Sequence, residues 1–221
     1  MTDGAPRRRL ALLEAAAVAT CAGLALPIVG RLAMLPLDPV GLLGVLLAVA
    51  AGYLLADLLS GLVHWFCDRF FDEHTPLIGR VLIAPFREHH RDPLAMTRHG
   101  FLELTGNSCL GLAPVLALVW RWPLSVWLDA LVLSLAVGVI ATNLLHKWAH
   151  AAAAPAPVRW LQRRRLVLRP PAHAVHHRPG YAGAYCVTTG WMNALTDGLR
   201  LFDALGHALA AVGVPRTTAR D

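Results

Sequence analysis

Nine of the chain's eleven histidines fall into four tight groups: His64; His89, His90 and His99; His146 and His150; and His173, His176 and His177. Each group sits at or just beyond the end of an apolar stretch of membrane-crossing length. Neutral imidazole is a good ligand for iron, and ionisable rings at a membrane edge generally have a function. The grouping points to a polynuclear metal centre held against a bilayer.

The spacings within the groups are suited to shared ligation. His146 and His150 form a His-x-x-x-His pair one helical turn apart, able to reach one ion or two adjacent ones. Asn143 lies on the same face. His173-Ala174-Val175-His176-His177 lets its first ring meet the fourth or fifth across one turn, and Arg87-Glu88-His89-His90-Arg91-Asp92 supplies a ring pair beside carboxylates. Asp57, Ser60, Gly61, His64 and Asp68 recur at steps of three or four, on one helical face. A carboxylate at Asp57 inside an apolar helix needs a polar interior or a partner. The expectation is a ligand, His64, flanked by carboxylates that orient the ring through its second nitrogen.

Structural zinc closes with four ligands, often thiolates, whereas this chain offers eight or nine imidazoles and no cysteine among them. Cys21, Cys67, Cys109 and Cys186 are scattered without Cys-x-x-Cys spacing, so neither a disulfide framework nor a thiolate site is indicated. Two iron ions, each with several imidazoles and an open position, fit the count better. Such a site activates O2 toward unactivated C–H bonds, chemistry suited to a hydrocarbon substrate entering from the bilayer.

The elements that position these residues are membrane helices. The 221 residues are 56% hydrophobic and only 15% charged, with a mean hydropathy of +0.51. Four stretches approach or reach the length of a transmembrane helix, about residues 10–30, 40–66, 107–121 and 123–146. The third is short. Pro36 and Pro39 break the first pair, and Trp120, Arg121, Trp122 and Pro123 turn the second. The first stretch is long and is needed for the parity of the others, which argues against a cleaved signal peptide.

Of the 20 Lys and Arg residues, all but Arg31 and Arg121 fall in the N-terminal tail, in 67–106 or after residue 146. By the positive-inside rule both termini and the grouped histidines face the cytoplasm. The expected organisation is a basic tail (1–9), a membrane-embedded body (10–205) with cytoplasmic segments 67–106 and 147–205, and a C-terminal tail (206–221). Trp120, Trp122 and Trp127 suit one interfacial belt, and Trp65, Trp148 and Trp160 the other. Residues 158–169 mix apolar and basic side chains and suit either the headgroup layer or an ordinary basic loop. No module for nucleic acid accompanies the net charge of +6.

At these residues the chain resembles the plasmanylethanolamine desaturase family, which includes the bacterial light-response protein CarF and the Kua proteins; the plant plastid desaturases of the fatty acid desaturase 4 type are related. The resemblance rests on Ala56 to Trp65 with Asp68, Pro85 to Pro93 with Thr97-Arg98-His99, Thr142 to His150, and His173 to His177 with Tyr185 to Trp191 and Asn193, covering about residues 52–205. It implies an all-α membrane protein of about four transmembrane helices with a cytoplasmic histidine-rich di-iron cap. By motif the ligands are His64, His89, His90, His146, His150, His173, His176 and His177. A further histidine often precedes His173 in the family, and here that position is Ala172. Asp57, Asp68, Glu88, Asp92, His99, Asn143, Arg87, Arg98 and Lys147 are expected around the ligands or near substrate, with Arg87, Arg91, Arg98 and Lys147 as either phosphate contacts or positive-inside charges. His74 and His207 match no motif and are expected to be surface residues.

The family reaction is removal of two hydrogens from the 1-O-alkyl chain of an ether phospholipid, ethanolamine-headed by resemblance. O2 is reduced to water with electrons from an external donor such as cytochrome b5 or ferredoxin with its reductase, and a plasmalogen vinyl ether results. The expected location is the bacterial inner membrane or its equivalent. Two other readings stand beside it: an acyl-lipid desaturase or hydroxylase with the same iron site, and a membrane metal transporter or sensor, whose histidines would line a path through the bilayer.

Overall fold

A computed structural model describes residues 4–34, 38–123 and 125–214. The described residues form helices and loops, with no strand of a sheet. Among the described residues nine α-helices follow in chain order: α1 (Gly4–Ala33), α2 (Pro39–Arg69), α3 (Ala84–Arg91), α4 (Phe101–Arg121), α5 (Val126–His150), α6 (Ala156–Arg163), α7 (Pro170–His173), α8 (Asn193–Gly198) and α9 (Leu201–Ala211). A π-helical turn, Gly79–Ile83, runs directly into α3. Pro36 of the expected first turn and the end of the C-terminal tail lie outside the described residues.

Among the described residues four helices are long and apolar enough to cross a membrane: Arg8–Ala33, Pro39–Arg69, Phe101–Arg121 and Val126–His150. Many of their leucines are exposed, among them Leu12, Leu13 and Leu26 on α1 and Leu43, Leu46 and Leu47 on α2. Exposed apolar surface on that scale fits contact with lipid. Each helix outruns its apolar stretch. The third, short in the sequence, starts at Phe101 because Gly100 caps it and Glu103 reaches back to the Gly100 N–H. The second and fourth continue through Asp68 and His150, so Asp68, His146 and His150 are helical.

The chain divides into two compact units. The first comprises residues 1–56 and 99–144. Its core joins Cys21 and Ile28 of α1 to Cys109, Leu112, Leu116 and Val119 of α4 and to Val132 and Ala136 of α5. Arg31, one of the two cations in the expected outer turns, is neutralised. Its Nε and Nη2 each donate to the buried Asp129 carboxylate at 2.8 Å, and Nη2 also donates to the Val119 carbonyl at 3.1 Å. The ends of α1 and α4 and the start of α5 are thereby tied together. Close approach of α2 and α5 requires small residues: a Cβ at Gly52 would lie 2.2 Å from the Leu131 carbonyl oxygen. Asn143, expected beside the histidines, donates to the Leu104 carbonyl at 3.0 Å and stitches α5 to α4.

The second unit comprises residues 57–98 and 145–221. The end of α2 is held by the loop 180–192, rung by rung. The Val187 N–H donates to Ser60 Oγ at 2.9 Å. A Cβ at Gly61 would lie 2.5 Å from Cys186 Sγ, so glycine lets the loop close on the helix. Trp65 is buried with Phe70, Tyr185 and Phe202. It is therefore a core residue rather than the interfacial anchor expected from its position, because the returning loop covers it. Trp120, Trp122, Trp127 and Trp160 are exposed. Of residues 158–169, only those up to Arg163 are helical; Val158 and Gln162 are buried and Trp160 faces outward.

Candidate metal centre

All eight histidines expected as ligands lie in the second unit, contributed by four chain segments. α2 carries His64, α3 carries His89 and His90, and the last turn of α5 carries His146 and His150. His173 ends α7, and the turn after it brings His176 and His177. The His89–His90 pair is helical, because the π-helical turn and Pro85 nucleate α3 just ahead of it.

The rings form two overlapping groups. His89, His146, His150, His173 and His177 offer nitrogens that all lie within 4.8 Å of one another, and so do His64, His89, His90 and His176. His89 belongs to both. The Nε2 atom of His173 is 2.8 Å from those of His146 and His150 and 3.0 Å from that of His177. His146 and His150 are 3.2 Å apart, and His176 and His90 3.4 Å, Nε2 to Nε2.

These spacings suit a shared cation. Two nitrogens each about 2.1 Å from an ion are about 3.0 Å apart at a right angle and about 3.4 Å apart in a tetrahedron. Hydrogen bonding among the rings cannot replace it, since several Nε2 atoms converge on one point. The Nε2 atoms of His64 and His89 are buried without any hydrogen-bond partner, a state that costs stability unless something binds there.

The remote nitrogens are held by backbone carbonyls. His64 Nδ1 is 3.1 Å from the Tyr185 oxygen, and His176 Nδ1 is 2.9 Å from the Gly183 oxygen. A carbonyl only accepts, so each Nδ1 carries the proton and each Nε2 presents a lone pair. Sequence reasoning missed both carbonyls, because a backbone oxygen leaves no residue signature. The loop bearing them is fixed at three points. Arg69 donates to the carbonyls of Gly180 and Tyr181 and to Tyr185 Oη at 2.9–3.0 Å. Asp197 accepts from the Ala184 N–H, and Asp57 anchors the far end.

Asp57 therefore has a different role from the one expected. It does not orient His64. Its Oδ1 accepts from the N–H groups of Thr188, Thr189 and Gly190 at 2.7–3.0 Å, and its Oδ2 from Met192 at 3.0 Å. A carboxylate with four backbone donors is satisfied inside an otherwise apolar helix. Asp68 does sit among the rings, on their Nε2 side.

Several of the other expected neighbours have partners of their own. Arg87 donates to the carbonyls of Cys67, Phe70 and Phe71, satisfying the end of α2. Glu88 is exposed. Arg91 pairs with Glu73, and Arg98 pairs with Asp92 at 2.6 Å at the surface; that guanidinium lowers the Asp92 pKa. His99 pairs with Glu103 at the start of α4. Lys147 is half-buried, and His74 and His207 are exposed.

Burial first, and then neighbouring rings, hold His89 and His173 well below the ordinary imidazole range. The same causes bring His177 to about 3. Neutral rings are the ligand-competent form. The sign of the pH dependence follows. Below about pH 6.5 the unfolded chain takes up protons at these rings while the fold refuses them, so stability falls with pH. Metal-free protein in detergent should therefore melt progressively lower from about pH 6.5 downward. A flat melting profile through that window would show that the rings protonate within the fold.

Comparison with known proteins agrees with this architecture. The family described as "Lipid desaturase domain" matches residues 53–217. A Myxococcus xanthus protein named plasmanylethanolamine desaturase is 42% identical over 185 residues, which cover 82% of this chain and 65% of the relative. The mouse plasmanylethanolamine desaturase 1 is 39% identical over 160 residues, covering 67% of this chain and 59% of the relative. The Arabidopsis thaliana protein named fatty acid desaturase 4, chloroplastic, is 35% identical over 72% of this chain and 50% of its own length. The chain thus spans less than two thirds of the length of these curated relatives. No solved structure matches.

Proposed function

The chain belongs to the lipid desaturase domain family, and on that premise we propose that it is a membrane-embedded, O2-dependent di-iron enzyme that forms the vinyl ether of plasmalogens from 1-O-alkyl ether phospholipids. The observation that carries this reading is the convergence of eight imidazoles into two adjoining groups that share His89. His146, His150, His173 and His177, with His89, would hold one ion, and His64, His90 and His176, again with His89, the other.

Bound iron would supply the oxidising power. The balance is alkyl ether, O2, two electrons and two protons giving vinyl ether and two waters, with the electrons from an external donor such as cytochrome b5 or ferredoxin. The chain's own residues do the rest. The Tyr185 and Gly183 carbonyls fix the proton on Nδ1 of His64 and His176 and so direct the opposite nitrogen to the metal. Burial keeps the rings neutral and excludes bulk water. Arg98, whose exposed guanidinium pairs with Asp92 at the surface, and Lys147 remain the proposed contacts for the phosphate of an ethanolamine headgroup, since Arg87 is committed to carbonyls at the end of α2. The positive-inside asymmetry favours a cytoplasmic site on a multi-pass protein of the inner membrane.

The Arabidopsis relative's name supports a second reading, desaturation of an ester-linked acyl chain by the same site. Expression in a host fed alkylglycerol separates the two. Acid-labile vinyl ethers are expected, and new double bonds confined to ester-linked chains would replace the first reading with the second. His177→Ala should abolish the product and His74→Ala should not.

A further inference from the structure

We infer that Asp68 is itself a metal ligand, giving the group of His64, His90 and His176 a carboxylate that the five-histidine group lacks. The inference rests on the paired-metal reading above. Asp68 is one turn beyond His64 on α2, and its side chain is only 6% exposed. Its Oδ2 lies 3.0 Å from His90 Nε2, 3.4 Å from His176 Nε2 and 3.5 Å from His64 Nε2. These distances match the nitrogen–nitrogen spacings within the cluster. Its other oxygen, Oδ1, is buried and has no hydrogen-bond partner.

Two roles are available to a carboxylate beside a metal site. One that orients a ligand accepts a hydrogen bond from the imidazole nitrogen remote from the metal. Asp68 cannot act this way on His64 or His176, whose remote nitrogens are taken by the Tyr185 and Gly183 carbonyls. It faces their Nε2 atoms, which hold lone pairs once Nδ1 is protonated. An ionised carboxylate oxygen and two lone pairs at this separation repel one another, and the one ring able to donate to Oδ2, His90 through Nε2 at 3.0 Å, leaves the contacts with His64 and His176 unrelieved. A cation among them does, and Oδ2 is then a ligand alongside the nitrogens. The two sites become chemically distinct: one all-nitrogen, the other a mixed site with a hard anionic oxygen, the donor that favours the harder, more oxidised state of iron.

The test is anaerobic cobalt(II) titration of the metal-stripped, detergent-purified full chain, read by ions bound per chain and by the visible bands of the bound ion. The wild-type chain is expected to bind two ions. Asp68→Asn and Asp68→Ala should keep the ion of the five-histidine group, which also reports that the chain is folded. They should lose the other, or bind it more than about a hundredfold more weakly, past the 10–100-fold expected of a residue acting through an imidazole. Asp68→Glu, which keeps the carboxylate, should regain the second ion. Two ions in the asparagine and alanine variants, with wild-type bands and affinities within about tenfold, would overturn the assignment of Asp68 alone. Fewer than two ions in the wild-type chain would overturn the paired-metal reading and this inference with it.

Discussion

Replacing His89 with alanine should empty both metal positions at once, whereas replacing His150 should empty only one. His89 is the ring common to the two groups, and a ring that serves two ions uses one nitrogen for each, as a bridging imidazolate; its Nε2 is buried without a hydrogen-bond partner. His150 belongs to the five-histidine group alone and is only partly buried. Turnover to the vinyl ether should fall more than about a thousandfold in either variant, beyond the 10–100-fold typical of losing a residue outside the ligand shell. Activity therefore does not separate them. Iron content does: near zero for His89→Ala, and one of two ions retained for His150→Ala. Because residues acting as one unit have non-additive effects, the double variant should be no less active than His89→Ala alone. Should His89→Ala retain a full complement of iron, the two groups do not share a ring.

The histidines were legible in the sequence for a simple reason. Ligation needs particular side chains at particular spacings, and helices turn those spacings into faces. His146 with His150 and His64 with Asp68 are both one turn apart in α5 and α2, and the structure places them as the period requires. The four apolar helices were equally plain, since length and hydropathy alone define them. What the sequence hid is long-range. The loop 180–192 returns to α2 across more than a hundred residues, meeting Asp57, Ser60 and His64 in succession. No periodicity announces that return. Its consequences were misread: Asp57 looked like a partner for His64, Trp65 like an interfacial anchor, and Arg87 like a phosphate contact. Each is instead consumed by the fold that the loop imposes. Carbonyls that set a tautomer are the extreme case, because every residue has one.

That reassignment of Asp57 carries the second large effect. Asp57→Ala leaves the N–H groups of Thr188, Thr189, Gly190 and Met192 without their common acceptor. A buried donor left unsatisfied costs about 1–3 kcal/mol. Even with partial relaxation, the sum is on the order of 4 kcal/mol, a large share of the 5–15 kcal/mol typical of a folded chain. Asp57→Asn is the informative companion. Its carbonyl oxygen can still serve the three donors gathered at Oδ1, while its amide group meets the Met192 N–H donor to donor. The loss should then be about 1–3 kcal/mol, so melting temperatures in detergent should rank wild type, asparagine, alanine. If charge rather than hydrogen bonding held the loop, the two variants would melt alike. Metal affinity should follow the same order, because a loosened loop frees the Tyr185 and Gly183 carbonyls and with them His64 and His176. An alanine variant that melts early yet binds both ions as tightly as the wild type would show that the two rings hold their orientation without the loop.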